Sequence, residues 1–145
     1  MTLPPPAPSR LVKPTLNTKF HIDFDWWRRQ GRELRVYLRS HLCAEHQAVY
    51  ADDDDGGTTD WVDPETAEVK RVDALQQTLR THCSTQPAFL TEHTSLVDGV
   101  FRVLLANGNQ PLTPVELSRI INRPAATILR TLSGQRVYKG LRPRL

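Results

Sequence analysis

Cysteine is scarce in this chain, with two in 145 residues. That is too few for a disulfide scaffold, so both are read as thiols or metal ligands of a reducing compartment. No apolar run approaches the roughly 20 residues that a membrane-spanning helix requires, and the leading MTLPPPAPSR lacks the apolar stretch of a secretory signal. The expectation is a cytoplasmic protein without membrane contact. The motifs of the common catalytic machines are missing as well: there is no G-x-x-x-x-G-K-[ST], no G-x-G-x-x-G after a strand, no G-x-S-x-G elbow and no H-E-x-x-H. Carboxylate pairs such as Asp23/Asp25 and Glu65/Glu68 do occur, but a chain with 16 acidic residues contains such pairs without any chemistry attached. A thiol–imidazole pair, for instance Cys83 with His82 or His93, needs an adjacency that spacing alone does not supply. The chain is therefore read as a non-enzyme.

Acidic residues are absent from one end. From Arg119 onward there are seven basic residues and no carboxylate, whereas the part before it carries 12 basic and 16 acidic residues. The formal net charge of +3 thus conceals a negative body and a strongly positive tail. Charge segregated in this way favours an anionic partner at the basic end.

What is present, 39% hydrophobic and 24% charged residues, suits one modest domain or two small ones. Residues 1–19 hold Pro4, Pro5, Pro6, Pro8 and Pro14 and read as a flexible, polyproline-like arm, with Arg10, Lys13 and Lys19 as its cations. Residues 20–92 read as a helical N-terminal region. It opens on the alternation Phe20, Ile22, Phe24, passes to a turn capped by Asp25 through Trp26 and Trp27, and continues with Leu34, Leu38 and Leu42 at helical spacing. Adjacent tryptophans cannot both enter one core from a helix, so one of the pair is expected to pack inside and the other to cover a neighbouring element or a partner. Within the acidic, glycine-bearing run from Asp52 to Asp60, Asp52 to Asp55 reads as a solvated loop and not an EF-hand calcium site. A small hairpin or an extended lead-in is expected around Pro64, then a helix capped by Asp73 that runs to about His82.

Residues 93–145 begin with a helix capped by Thr94 or Ser95, whose wide apolar face comprises Leu96, Val97, Val100, Phe101, Leu104 and Leu105. Gly108 stops it. A second helix opens with Thr113 as N-cap, Pro114 at the first helical position and Glu116 at the third, which is a capping box. Asn122 and Pro124 end it, and Pro124 can start a third helix with Ala125, Ile128, Leu129 and Leu132 on one face. Gly134 closes that helix, and Gln135 to Arg142 reads as a short strand pair.

Taken together, Glu116-Leu117-Ser118, Asn122, Thr127-Ile128 and Leu132 resemble the helix-turn-helix signature, with Ser118 and Asn122 where the family more often has Ala and Gly. With the trailing ribbon, the last third of the chain resembles the winged helix-turn-helix superfamily. The resemblance implies a mainly α fold with a C-terminal three-helix unit and a short β wing. It also implies binding of nucleic acid, foremost double-stranded DNA, by a transcription regulator. Thr127, Arg130 and Thr131 would then face base edges, while Arg123 and the wing residues Arg136, Lys139 and Arg142 would contact phosphates. The alternative is a protein-interaction module or small subunit of a larger assembly, docking through the winged helix and Trp26-Trp27, because two threonines, an alanine and one arginine make a poor reading face.

Each cysteine lies near a histidine at an expected helix end: Cys43-x2-His46 and Cys83-x9-His93. Four such sulfur and nitrogen donors satisfy zinc as a tetrahedral structural site joining the two helix ends, with His41 and His82 as substitutes. Two buried thiols beside surface histidines, with no metal, is the plainer alternative.

Overall fold

The computed structural model describes residues 13–30, 34–50 and 58–144. Most of the proline-rich arm, Arg10 included, and the acidic run Asp52–Asp55 lie outside the described residues. The elements in chain order are β1 (Phe20–Ile22), α1 (Phe24–Gln30), α2 (Leu34–Arg39), α3 (Ala44–Tyr50), β2 (Thr58–Val62), β3 (Val69–Asp73), α4 (Ala74–Thr81), α5 (Leu96–Ala106), α6 (Pro114–Ile121), α7 (Ala125–Leu132) and β4 (Leu141–Pro143). Two 3₁₀ turns, Cys83–Thr85 and Pro87–Phe89, join α4 to α5. The fold is mainly α with two small antiparallel sheets, β1–β4 and β2–β3.

Side-chain caps set most helix starts. Asp73 Oδ1 accepts the backbone N–H groups of Leu75 and Gln76 at 2.9 and 3.2 Å, and Ser95 Oγ accepts that of Asp98 at 3.2 Å. The capping box on α6 is complete: Thr113 Oγ1 accepts from Glu116 N at 3.1 Å and Glu116 Oε1 from Thr113 N at 3.0 Å. The bond from the Thr113 backbone N–H, then the Thr113 hydroxyl, holds the Glu116 carboxyl below its ordinary range. At α1 the cap is Asp23, whose Oδ1 accepts from Asp25 N and Trp26 N at 3.0 and 3.3 Å, and not Asp25. The reason is register, since a capping oxygen reaches the second and third helical amides and Asp25 is itself the second. Asn122 ends α6 in the left-handed conformation, φ 57°. Pro124 then stands as the cap of α7, so that helix begins at Ala125.

Helix α5 is the centre of the fold. Val100, Phe101 and Leu104 are fully buried on it, and it packs against α4, α6 and β1. A single cluster of buried side chains runs from Phe20, Ile22 and Trp27 through Leu38, Leu75 and Leu79 to Leu117, Ile128, Leu132 and Leu141. It spans both sides of residue 92.

The ribbon expected over Gln135–Arg142 does not close on itself. Its one strand, β4, pairs with β1 from the other end of the described chain, with Phe20 opposite Pro143 and Ile22 opposite Leu141. On its other edge Phe20 bridges Leu112, exchanging N–H···O bonds of 2.8 and 3.0 Å. Arg142 thus sits in a strand paired with residues that precede α1, and not in a hairpin of its own. Residues 133–140 lead there through turns, ending at Lys139 and Gly140, both at positive φ (53° and 76°).

Candidate functional site

Two groupings of side chains go beyond packing. The first joins α3 to the end of α4. Cys43 lies just before α3 and His46 in its first turn, while His82 caps the C-terminus of α4 and Cys83 opens the following 3₁₀ turn. Packing of α2 on α4 brings these two helix ends together. The Cys43 and Cys83 sulfurs are 3.4 Å apart, both free thiols. His46 Nδ1 lies 3.2 Å from the Cys43 sulfur and 3.9 Å from that of Cys83. The His46 and His82 rings meet edge to face at 4.5 Å, and His82 Nε2 stands 3.4 Å from Glu45 Oε2. Ligand atoms of Cys43, Glu45, His46 and His82 all lie within 4.8 Å of one another.

Of the four ligands picked from sequence, Cys43, His46 and Cys83 come together and His93 does not. His93 lies in the Thr91–Thr94 turn before α5, its ring almost wholly exposed beside Glu92. His82 takes its place in the cluster. The signal for this was its position next to Cys83 at the same helix end, where a short segment cannot send two neighbours far apart. Cys83 is buried, and desolvation together with the adjacent Cys43 pushes its thiol up to about 11. This is opposite to the activation a nucleophilic cysteine needs.

The second grouping is the α6–α7 pair. Leu117 and Ile128 are fully buried between the helices and Leu132 nearly so, while Ala126 and Arg130 of α7 and Ser133 at its C-terminal cap are exposed. Ser118 Oγ donates to the Arg123 carbonyl at 2.6 Å and fixes the turn. Among the cations assigned to nucleic acid, Arg130 and Arg136 reach into solvent, the latter stacked 5.1 Å over Tyr138. The others have structural partners. Arg123 Nη2 donates to the Thr94 carbonyl at 3.0 Å, Lys139 Nζ lies 4.7 Å over the Tyr37 ring, and Arg142 Nη1 donates to Asp23 Oδ2 at 3.2 Å. Thr131 Oγ1 donates back to the Thr127 carbonyl at 2.9 Å, and both threonines are half-buried. Lys13 adds a cation at the rim of a shallow groove lined also by Leu16, Ala126, Leu129 and Arg130.

Trp27 is buried in the core, stacked 5.5 Å from Tyr37, and its indole N–H donates to the Lys139 carbonyl at 3.0 Å. It offers nothing to a partner. Trp26 packs edge-on against it and is only half-buried. Sequence reasoning missed the buried network beside this pair, in which Arg102 Nε donates to His41 Nδ1 at 2.8 Å and Tyr37 donates to Asp98 at 2.5 Å. Nothing in the spacing around Arg102 marks it as a partner of His41.

No helix among the described residues is long and apolar enough to cross a membrane. No protein-family model matches the chain, and no curated protein or solved structure matches it either.

Proposed function

We propose that the chain is a nucleic-acid-binding protein that uses the α6–α7 pair on duplex DNA, as a regulator of transcription does. The observation that carries this reading is that Arg119, Arg130, Arg136 and Arg144 are all exposed on a segment that holds no carboxylate after Glu116. A duplex supplies a dense row of phosphates, and cations that replace its condensed counterions gain binding free energy from their release. The tight turn at Asn122 and the buried Leu117 and Ile128 hold α7 rigidly, so its exposed Ala126, Arg130 and Ser133 could lie along a major groove. With one arginine and small neutral neighbours on that face, base discrimination is modest and phosphate contacts dominate.

The test is fluorescence anisotropy of a labelled duplex against the full chain, over a series of salt concentrations. Binding that weakens steeply with salt, and that is lost in an Arg130→Glu/Arg136→Glu double variant of unchanged thermal stability, supports the reading. Affinity that is weak and indifferent to salt would overturn it and leave the protein-docking module as the account of this end of the chain.

A further inference from the structure

We infer that Cys43, His46, His82 and Cys83 form a closed tetrahedral site for a structural zinc ion, with Glu45 orienting the His82 ring from outside. Zinc–sulfur bonds of about 2.3 Å and zinc–nitrogen bonds of about 2.0–2.1 Å make a tetrahedron whose edges are about 3.3–3.8 Å. The separations here, 3.4 Å between the sulfurs and 3.2 and 3.9 Å from them to His46 Nδ1, fall on or within a few tenths of an ångström of those edges. The fourth donor is His82, whose ring lies against that of His46. One ring nitrogen of His82 lies within 4.8 Å of the ligand atoms of Cys43 and His46, and Glu45 Oε2 stands 3.4 Å from Nε2, where a carboxylate can fix the tautomer of a liganding histidine.

Beside Cys43, His46 and His82, Glu45 and Cys83 compete for the remaining place, and their surroundings separate them. Glu45 is exposed and free to hydrate, whereas Cys83 is buried against Cys43. Two soft thiolates with two imidazoles select zinc over the hard cations magnesium and calcium. The chemistry is ligand exchange alone: both thiols lose their protons to solvent as the sulfur–metal bonds form, and no electron moves. Four protein ligands leave no open position, so the ion would serve folding by clamping the start of α3 to the end of α4.

The experiment uses the full chain, reduced and stripped of metal, titrated with zinc and separately with cobalt. Expected are a single equivalent bound, the visible spectrum of tetrahedral cobalt with a thiolate charge-transfer band, and protection of both cysteines from alkylation. His82→Ala should abolish stoichiometric binding while His93→Ala leaves it intact. Glu45→Gln should keep the stoichiometry and weaken zinc affinity about 10–100-fold. His82 is partly exposed, so its replacement leaves the core in place, and a cobalt titration of the unaltered chain stands independently of any variant. Octahedral cobalt, absence of binding by reduced thiols, or loss of metal in His93→Ala with retention in His82→Ala would each overturn the assignment.

Discussion

Trp27 Nε1 donates to the carbonyl oxygen of Lys139 at 3.0 Å, tying the first helix to the turn that launches the last strand. The bond requires the backbone after Lys139 to pass close over the indole, and Gly140 provides that passage at φ +76°. A Cβ at Gly140 would stand 2.8 Å from Trp27 Nε1 and 3.1 Å from the Asp23 carbonyl oxygen. Gly140→Ala is therefore expected to lower stability by about 2 kcal/mol or more, combining left-handed strain with the clash. Urea denaturation of the two proteins measures it, and a loss below the error of the method would contradict the packing described.

His41 gives the fold a pH dependence. It is buried, its Nδ1 accepts from Arg102, and burial, then the Arg102 charge, bring its pKa down to about 4, with Asp98 opposing and Lys139 adding to the shift. In the unfolded chain an ordinary histidine titrates near 6.5. Below that value the unfolded state takes up a proton that the folded state refuses. The stability due to a neutral His41 is thus complete above about pH 6.5 and is lost as pH falls towards about 4, on the order of 3 kcal/mol in all. Melting temperatures of the parent and of His41→Gln across this window should converge as the pH falls. Parallel curves would rule the effect out.

Asp73 has two tasks that substitution can separate. It caps α4, and its Oδ2 receives Arg35 Nη1 at 2.5 Å in a half-buried ion pair. Asp73→Ala should cost about 2 kcal/mol, whereas Asp73→Asn keeps a capping oxygen and should cost less than about 1 kcal/mol. Equal losses in thermal unfolding would place the weight on charge and not on the cap.

The basic residues divide by what already holds them. Arg130→Ala should reduce the slope of log affinity against log salt by about 0.9 and leave the melting temperature unchanged. Arg142→Ala releases Asp23 from its strand partner, so its principal effect should be on stability, with the salt slope preserved. A reversal of the two outcomes would mean that β4, and not α7, faces the anionic partner.

Local signals made much of the helical part legible. The Thr113–Glu116 box, the Asn122 turn, the Asp73 cap and the apolar faces of α5 and α7 are written in neighbouring residues and appear where the spacing puts them. The hairpin around Pro64 is equally local. What the spacing could not show was pairing over distance. Nothing in Phe20-His21-Ile22 names Leu141 as the partner of Ile22, and the ribbon near the C-terminus was assigned to itself because adjacent segments are the ordinary pairing choice. The candidate metal cluster divides in the same way. Cys43 and His46 are fixed by one turn of chain, while the choice of His82 over His93 depends on how α4 leads into the 3₁₀ turn.

The pairing of β1 with β4 also bears on how the molecule is made. Nearly the whole described chain is a loop closed by three residues at each end, so this contact carries a large closure entropy and is absent until the last strand has left the ribosome. Until then the edge of β1 that faces Leu141 and Pro143 waits without its neighbour, and the nascent chain must keep Phe20 and Ile22 from pairing there with other segments.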